Sequence, residues 1–354
     1  MTVPNERQSS DILLDVSDLH VSFAAYAGEV QAVRGAGFTL RRGETIAIVG
    51  ESGSGKSVTA RSVMRLLPPS IAKIKKGSIR YKEKELTALS EKEMRKLRGS
   101  EISIIFQDAM TALNPTVTIG EQLIEGIVRH ENITRADARK RAVDMLQLVG
   151  IRDPETRLKQ HLHQFSGGMR QRIMIAIAAI GNPSVIIADE PTTALDVTIQ
   201  AQILDLFKLL QQKTGVSIIM ITHDLGVVAS IADRVNVMYA GKIVESGPVR
   251  DIFRNPQHSY TRALLAAMPR LDRDRSIPLQ AIPGTPPDLF APPQGCAFAA
   301  RCPNAMEVCG VAQPETTQLP GGHEVDCWLQ DPRAKQVIPP LIKTISETAV
   351  SIDK

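Results

Sequence analysis

The sequence predicts an α/β fold, a parallel sheet faced by helices and followed by a small cysteine-containing extension. Three observations carry that expectation. Short apolar runs alternate with helical stretches between residues 45 and 246. A glycine-rich loop, GESGSGKS, joins one such run to a helix. All four cysteines fall between 296 and 327, beyond a stretch rich in proline and glycine.

In chain order, ILLDVSDLHVSF and GFTL read as N-terminal strands and TIAIV as a buried one. Ser57 to Leu67 reads as a helix stopped by Pro68-Pro69. ISIIFQ is a buried-type strand. VTIGEQLIEGIVRH and TRADARKRAVDMLQLVG are helical, the second capped by Thr134 and Asp137 and stopped at Gly150. VIIAD is a strand, Ile199 to Leu210 a helix and VSIIMIT a strand, while VNVMY and KIVES flank a turn at Gly241. Residues from about 110 to 165 form an all-helical insert, and IPGTPPDLFAPPQG reads as a linker. No internal repeat is present, so the expectation is one nucleotide unit per chain.

The 354 residues, 43% hydrophobic and 23% charged, suit a soluble globular protein of one large unit with a small companion. A net charge of +4 gives little support for a nucleic-acid partner. No apolar run approaches the roughly 20 residues that span a bilayer. The start, MTVPNERQSS, lacks the apolar core of a secretory signal. The expected location is therefore cytosolic, with room for docking onto a membrane complex.

Gly50-Glu51-Ser52-Gly53-Ser54-Gly55-Lys56-Ser57, with Val58 after it, follows the phosphate-loop pattern. Glycines let a loop turn its N–H groups inward around phosphates. The following helix points its positive end at the anion. Lys56 adds a mobile charge, and the Ser57 hydroxyl can ligate Mg²⁺. Such a site needs a carboxylate near the metal. The strand Val185 to Ala188 ends in Asp189-Glu190, which emerge at the sheet's carboxyl end. Asp189 is expected to hold Mg²⁺, through water, and Glu190 to act as general base on the attacking water.

Phe165-Ser166-Gly167-Gly168-Met169-Arg170-Gln171 resembles the signature of ATP-binding cassette (ABC) ATPases, and other landmarks fall in that family's order. Gln107 resembles the Q-loop glutamine, Ala194-Leu195-Asp196 the D-loop, and His223 the switch histidine. The resemblance implies a P-loop NTPase fold with a RecA-like parallel sheet core, antiparallel N-terminal strands and a helical subdomain. The resemblance covers roughly residues 11 to 265 and implies an ATPase domain of 1–268, with the helical subdomain at about 108–180. It implies ATP and Mg²⁺ as ligands, with Gln107 near the γ-phosphate and metal and His223 keeping Glu190 and water aligned. Ser166 caps an apolar helix whose end lacks an anion in its own chain. In the family two cassettes meet head to tail, so Ser166, Gly167, Gly168 and Met169 of one would face ATP held by Lys56 of the other. The family's usual glutamine at the fifth signature position is Met169 here. An N-terminal aromatic is implied against adenine. Spacing lands on or beside Tyr26, with Phe23 equally readable as core.

Three classes compete: a membrane importer's ATPase, a soluble DNA-repair ATPase and a translation factor or regulator. The 108 residues between Ser57 and Ser166 hold no sustained heptads, against the long coiled-coil insert of repair ATPases. Translation factors usually carry two cassettes, and a pure regulator would not need Glu190 and His223. ESGSGKSVTARSVMRLLP, FQDAMTALNPTVTIGEQL, ADEPTTALDVTIQAQIL, HSYTRALLAAMPRL and GCAFAARCP resemble the peptide and nickel importer subfamily. That implies a partner ATPase, as a heterodimer although a homodimer is not excluded. It also implies two permeases and an extracytoplasmic binding protein, with the chain at the cytoplasmic face of the inner membrane. Peptides are the expected cargo, nickel or another small solute the alternative.

Five residues separate Cys296 from Cys302, six separate Cys302 from Cys309, and seventeen precede Cys327. Cys-x-x-Cys knuckles are absent. Four thiolates in this span suit a 4Fe–4S cluster or Zn²⁺, or are simply small buried residues. The subfamily's extension, 269–330 here, carries the same pattern, and the resemblance implies the iron–sulfur site. His323 and Asp326, near Cys327, read as surface residues or as outer partners of such a site. Residues 331–354 read as a poorly ordered tail.

Overall fold

A computed structural model describes residues 11–26, 28–193, 195–268 and 281–336. The expectations for residues 1–10, for Ala194 and for the tail beyond 336 lie outside the described residues.

Two sheets organise the described residues. The first is antiparallel, in the order β2-β1-β4-β5, with β1 Ile12–Ala25, β2 Gly28–Arg41, β4 Ala72–Tyr81 and β5 Lys84–Glu85. The second has eight strands in the order β11-β12-β10-β9-β3-β8-β7-β6. Its parallel centre comprises β9 Arg234–Tyr239, β3 Thr45–Val49, β8 Ser217–Thr222, β7 Val185–Asp189 and β6 Ile102–Ile105. β10 Lys242–Pro248, β12 His323–Val325 and β11 Thr317–Leu319 continue it antiparallel.

The central strands are covered on both faces, so they are apolar throughout. Along β3 the faces alternate. Ile46 and Ile48 join a core shared with the first sheet and the helix Lys56–Val63, which also packs there through Ala60 and Val63. Ala47 and Val49 face a second core with Val235, Val237, Tyr239, Tyr260 and Phe298. The opposite end of the sheet, through Ile105, Ile186 and Met220, supports the helices Ile119–His130, Arg135–Leu148 and Gly167–Ala179. Thr134 caps the middle helix, accepting from Asp137 N, and Gly150 takes φ 78° just past its end, as expected.

Three features depart from expectation. The helix after the glycine loop ends at Val63, not Leu67. Arg65 turns left-handed at φ 49°, and the Arg98 guanidinium, distant in sequence, donates to the carbonyls of Met64 and Arg65 at 2.8 and 3.0 Å. Strand β4 was not expected, because its lysines interrupt the apolar alternation, yet it pairs with β1 along much of its length. The extension adds β11 and β12 to the main sheet through β10. His323 is buried there, 2.8 Å from the buried Glu245, and Asp326 is half-buried with its N–H on Val244 O. Neither is a surface residue.

Candidate active site

The site lies at the carboxyl ends of the parallel strands. The phosphate loop leaves β3 at Gly50, where φ is 152° and a Cβ would run into the carbonyl oxygen of Met238. Gly55, at φ 103°, caps the following helix. A side chain at either position would be strained. Ser52 and Gly53 are exposed at the loop's tip, Ser54 is buried, and Val58 packs beneath. The Lys56 ammonium donates to the carbonyls of Gly50 and Glu51, each at 2.8 Å. Burial pushes its pKa down, and the negative charges of Glu190, Asp189 and Glu51 push back. The lysine is thus held inside the loop and, among the described residues, pairs with no carboxylate at contact distance.

Across from it, Ser57 Oγ donates to Asp189 Oδ1 at 2.7 Å, joining the loop to the end of β7. Asp189 is fully buried and burial raises its pKa, opposed by the Ser57 bond and Arg61, whose Nη2 lies 3.8 Å away. Its second oxygen, Oδ2, is buried without a hydrogen-bond partner. A hydroxyl and an orphaned carboxylate oxygen beside a phosphate loop fit a hard divalent cation.

Glu190 follows with φ 50°, a left-handed backbone that a glutamate seldom adopts. This turn aims its carboxylate at two other strand ends. Oε2 accepts from Gln107 Nε2 at 3.1 Å and Thr193 Oγ1 at 2.9 Å, and Oε1 lies 3.3 Å from His223 Nδ1. Gln107 is exposed two residues past the end of β6, and His223 is exposed just past β8. The residues Ser57, Asp189, Glu190, Gln107 and His223, read separately from the sequence, therefore meet. Thr193 and Arg61 had no local signal and join them only in three dimensions.

The signature residues stand apart. Ser166 has N-cap geometry for the helix Gly167–Ala179, but its side chain makes no capping bond and is exposed. Space around Gly167 is open, whereas Gly168 lies against Ile199. Met169 is half-buried and packs on the helical core. Asp196 is exposed and caps the helix Val197–Thr214 by accepting from Ile199 N at 2.9 Å.

Residues 33–193 match the family model described as ABC transporter, and residues 244–309 that described as oligopeptide/dipeptide transporter, C-terminal region. The dipeptide transport ATP-binding protein DppD of Bacillus subtilis (strain 168) is 61% identical over 92% of this chain and 97% of its own length. The chain belongs to the ABC transporter family. The oligopeptide transport ATP-binding protein OppD of the same organism is 56% identical over 93% of this chain and 92% of that one. Among solved structures, the dimeric post-hydrolysis state of the ATP-binding cassette MJ0796 bound to ADP and Pi superposes with a TM-score of 0.61. It is 26% identical and covers 67% of this chain and 99% of that one.

In this ABC cassette Tyr26 protrudes fully into solvent, while Phe23 is half-buried against the core. The equal reading of Phe23 as core is the one its packing favours. Among the described residues no helix is long and apolar enough to cross a membrane.

The main chain joins two of the cysteines, Cys296 N donating to Cys309 O at 2.8 Å, and all four are free. The expected 4Fe–4S cluster, like its zinc alternative, finds no support in their placement. Among the described residues no group of three or more His, Cys, Asp or Glu side chains is set to hold a metal ion. Cys309 is buried with Sγ turned to Met306 N. Burial raises the pKa of the Cys296 thiol and pushes that of Cys327 up to about 11.

Proposed function

We propose that this cassette is the ATP-hydrolysing subunit of an importer for di- or oligopeptides. One observation supports the chemistry above all others. Side chains from the phosphate loop and the ends of β6 and β8 converge on the Asp189-Glu190 step that ends β7, Ser57 and Gln107 by hydrogen bonds and His223 at 3.3 Å. The substrate class is supported by the two relatives, which are named for dipeptide and oligopeptide transport, and by the C-terminal match.

In this reading the loop's N–H groups and Lys56 bind the phosphates of ATP. Ser57, Asp189 and Gln107 hold Mg²⁺, which when bound neutralises phosphate charge. Gln107 and Thr193 orient one oxygen of Glu190, and the other faces His223. The carboxylate accepts a proton from water, and His223 keeps that carboxylate in place. Tyr26 stacks on adenine.

Ser166 and Gly167, backed by Gly168 and Met169, supply the second wall for ATP bound to a partner cassette, with Asp196 at the same face. Their unspent N–H and hydroxyl donors support that role. We take the partner to be a different ATPase subunit. Two permeases and an extracytoplasmic binding protein complete the assembly, and the cassette sits at the cytoplasmic membrane face. Residues 1–268 are the ATPase unit, with the helical subdomain at about 108–180 meeting a permease. Residues 269–330 are the extension and 331–354 its tail. A 4Fe–4S cluster at Cys296, Cys302, Cys309 and Cys327 rests on family resemblance alone. Iron and sulfide analysis of anaerobically isolated protein decides it.

Glu190→Gln is the direct test. The variant is expected to pair with its partner cassette in an ATP-dependent way and to lose turnover by about 10²–10⁴-fold, the range of a general base. Hydrolysis at the unaltered rate removes Glu190 from its role.

A further inference from the structure

The phosphate loop carries a carboxylate of its own. Glu51 directly follows Gly50, so a negative charge stands where a polyphosphate is to bind, and like charges repel. The extension answers it. Arg301, between Cys296 and Cys302, reaches back 250 residues and grips Glu51 as a fork, Nη1 to Oε2 at 2.7 Å and Nη2 to Oε1 at 3.0 Å. Its other N–H groups donate to Pro283 O at 2.9 Å, Tyr239 OH at 3.2 Å and Ile282 O at 3.3 Å. All five guanidinium donors are therefore used. The group also lies 5.8 Å from the Tyr239 ring centroid and 5.9 Å from that of Phe298. Its side chain is 4% exposed.

The loop's main chain is held from the same quarter. Glu51 N donates to Tyr260 OH at 2.8 Å, and Tyr260 packs on Tyr239 and Phe298 at 4.5 and 5.4 Å between centroids. The extension is itself anchored beside the loop. Gln31 N donates to Leu289 O at 2.9 Å and Arg34 Nη2 to Pro293 O at 3.2 Å. Such a saturated, buried cation serves one carboxylate in a loop built for anions.

We propose that Arg301 is a positioning residue for ATP binding: by pairing with Glu51 it neutralises the phosphate loop's own carboxylate and fixes its place, making the extension part of the nucleotide site. The inference rests on the reading of residues 50–57 as the ATP site. Removing the cation alone leaves Glu51 charged and unpaired next to the ligand. Removing both charges restores neutrality. A merely structural arginine would give no such recovery.

The test is titration of the full-length chain with the fluorescent analogue mant-ATP and Mg²⁺, with the melting temperature read on the same samples. Arg301→Gln is expected to weaken binding about ten-fold, Glu51→Gln less than about three-fold, and the double variant to return to within about three-fold of the unaltered chain. If Arg301→Gln lowers only the melting temperature, or the double variant binds no better than Arg301→Gln, the inference is overturned. Should Arg301→Gln fail to fold, Arg301→Lys, which keeps the charge but not the fork, must weaken binding by about three-fold and recover with Glu51→Gln. Unaltered affinity in Arg301→Lys then overturns it. Failure of the unaltered chain to bind mant-ATP removes the nucleotide site itself, and this inference with it.

Discussion

The two halves of the site differ in how much of their bonding is spent. Around the phosphate loop the side chains already answer one another: Ser57 to Asp189, Gln107 to Glu190, Glu51 to Arg301. Around the signature they do not. Ser166 caps nothing, Gly167 faces open space, and both are exposed. The first half is bonded together within one chain, while the second offers a helix N-terminus whose capping side chain is unengaged. Unsatisfied donors at a helix end call for water or a ligand. Family membership explains the asymmetry if that ligand arrives on another cassette.

The comparison is broken most forcefully at Ser166. Ser166→Arg fills the open face with a bulky cation but touches none of the phosphate-loop contacts. Steady-state phosphate release from the assembled transporter should drop by roughly 10²-fold, the scale of losing a transition-state donor. Mant-ATP affinity of the single chain should stay unchanged. A parallel loss of single-chain binding would mean that the halves are not separate.

A smaller effect sharpens the same contrast on the phosphate-loop side. His258 is buried, and burial pushes its pKa down to about 4, with Glu245 opposing and Arg262 assisting. Its Nδ1 accepts from Tyr260 N at 3.0 Å, a bond only the unprotonated nitrogen can make, and Tyr260 holds Glu51 N. The folded pKa lies below the unfolded value of 6.5. The neutral ring therefore stabilises the fold above pH 6.5, and that contribution is lost as pH falls towards 4. The full loss is roughly 3 kcal/mol. Chemical denaturation between pH 7 and 4.5 should show the decline, and His258→Gln should flatten it. An unchanged slope in the variant would assign the acid sensitivity elsewhere.

What was legible in the sequence follows from range. β3, β7 and β8 are continuous buried runs, so their period and length identify them locally. Thr134 and Gly150 punctuate a helix by chemistry within one turn. The phosphate loop and the Asp189-Glu190 step were legible because each sits at a strand end, where spacing and position coincide. β4 was not, since AKIKKGSIRY buries only Ala72, Ile79 and Tyr81 and gains its structure from β1. The bond from Arg301 to Glu51 crosses 250 residues and leaves no local trace. The cysteines show the converse. Their spacing suggested a metal, yet among the described residues no three such side chains are set to hold one.

The smallest effect concerns Met169, the one position where the signature departs from its family. A glutamine there would be polar at the mouth of the partner's site, so its replacement suggests weakened contact. The structure gives another account. Met169 is half-buried and packs on the helical core, while the exposed donors belong to Ser166 and Gly167. An unbranched thioether fills such a gap and contributes chiefly apolar contact. Met169→Gln should therefore change transporter-coupled hydrolysis by less than about three-fold and lower the melting temperature by a few degrees, as expected for loss of about 1 kcal/mol of packing. If the glutamine instead raises turnover ten-fold at unchanged stability, position 169 faces the partner's nucleotide. The open half of the site would then extend two residues past the exposed Gly167.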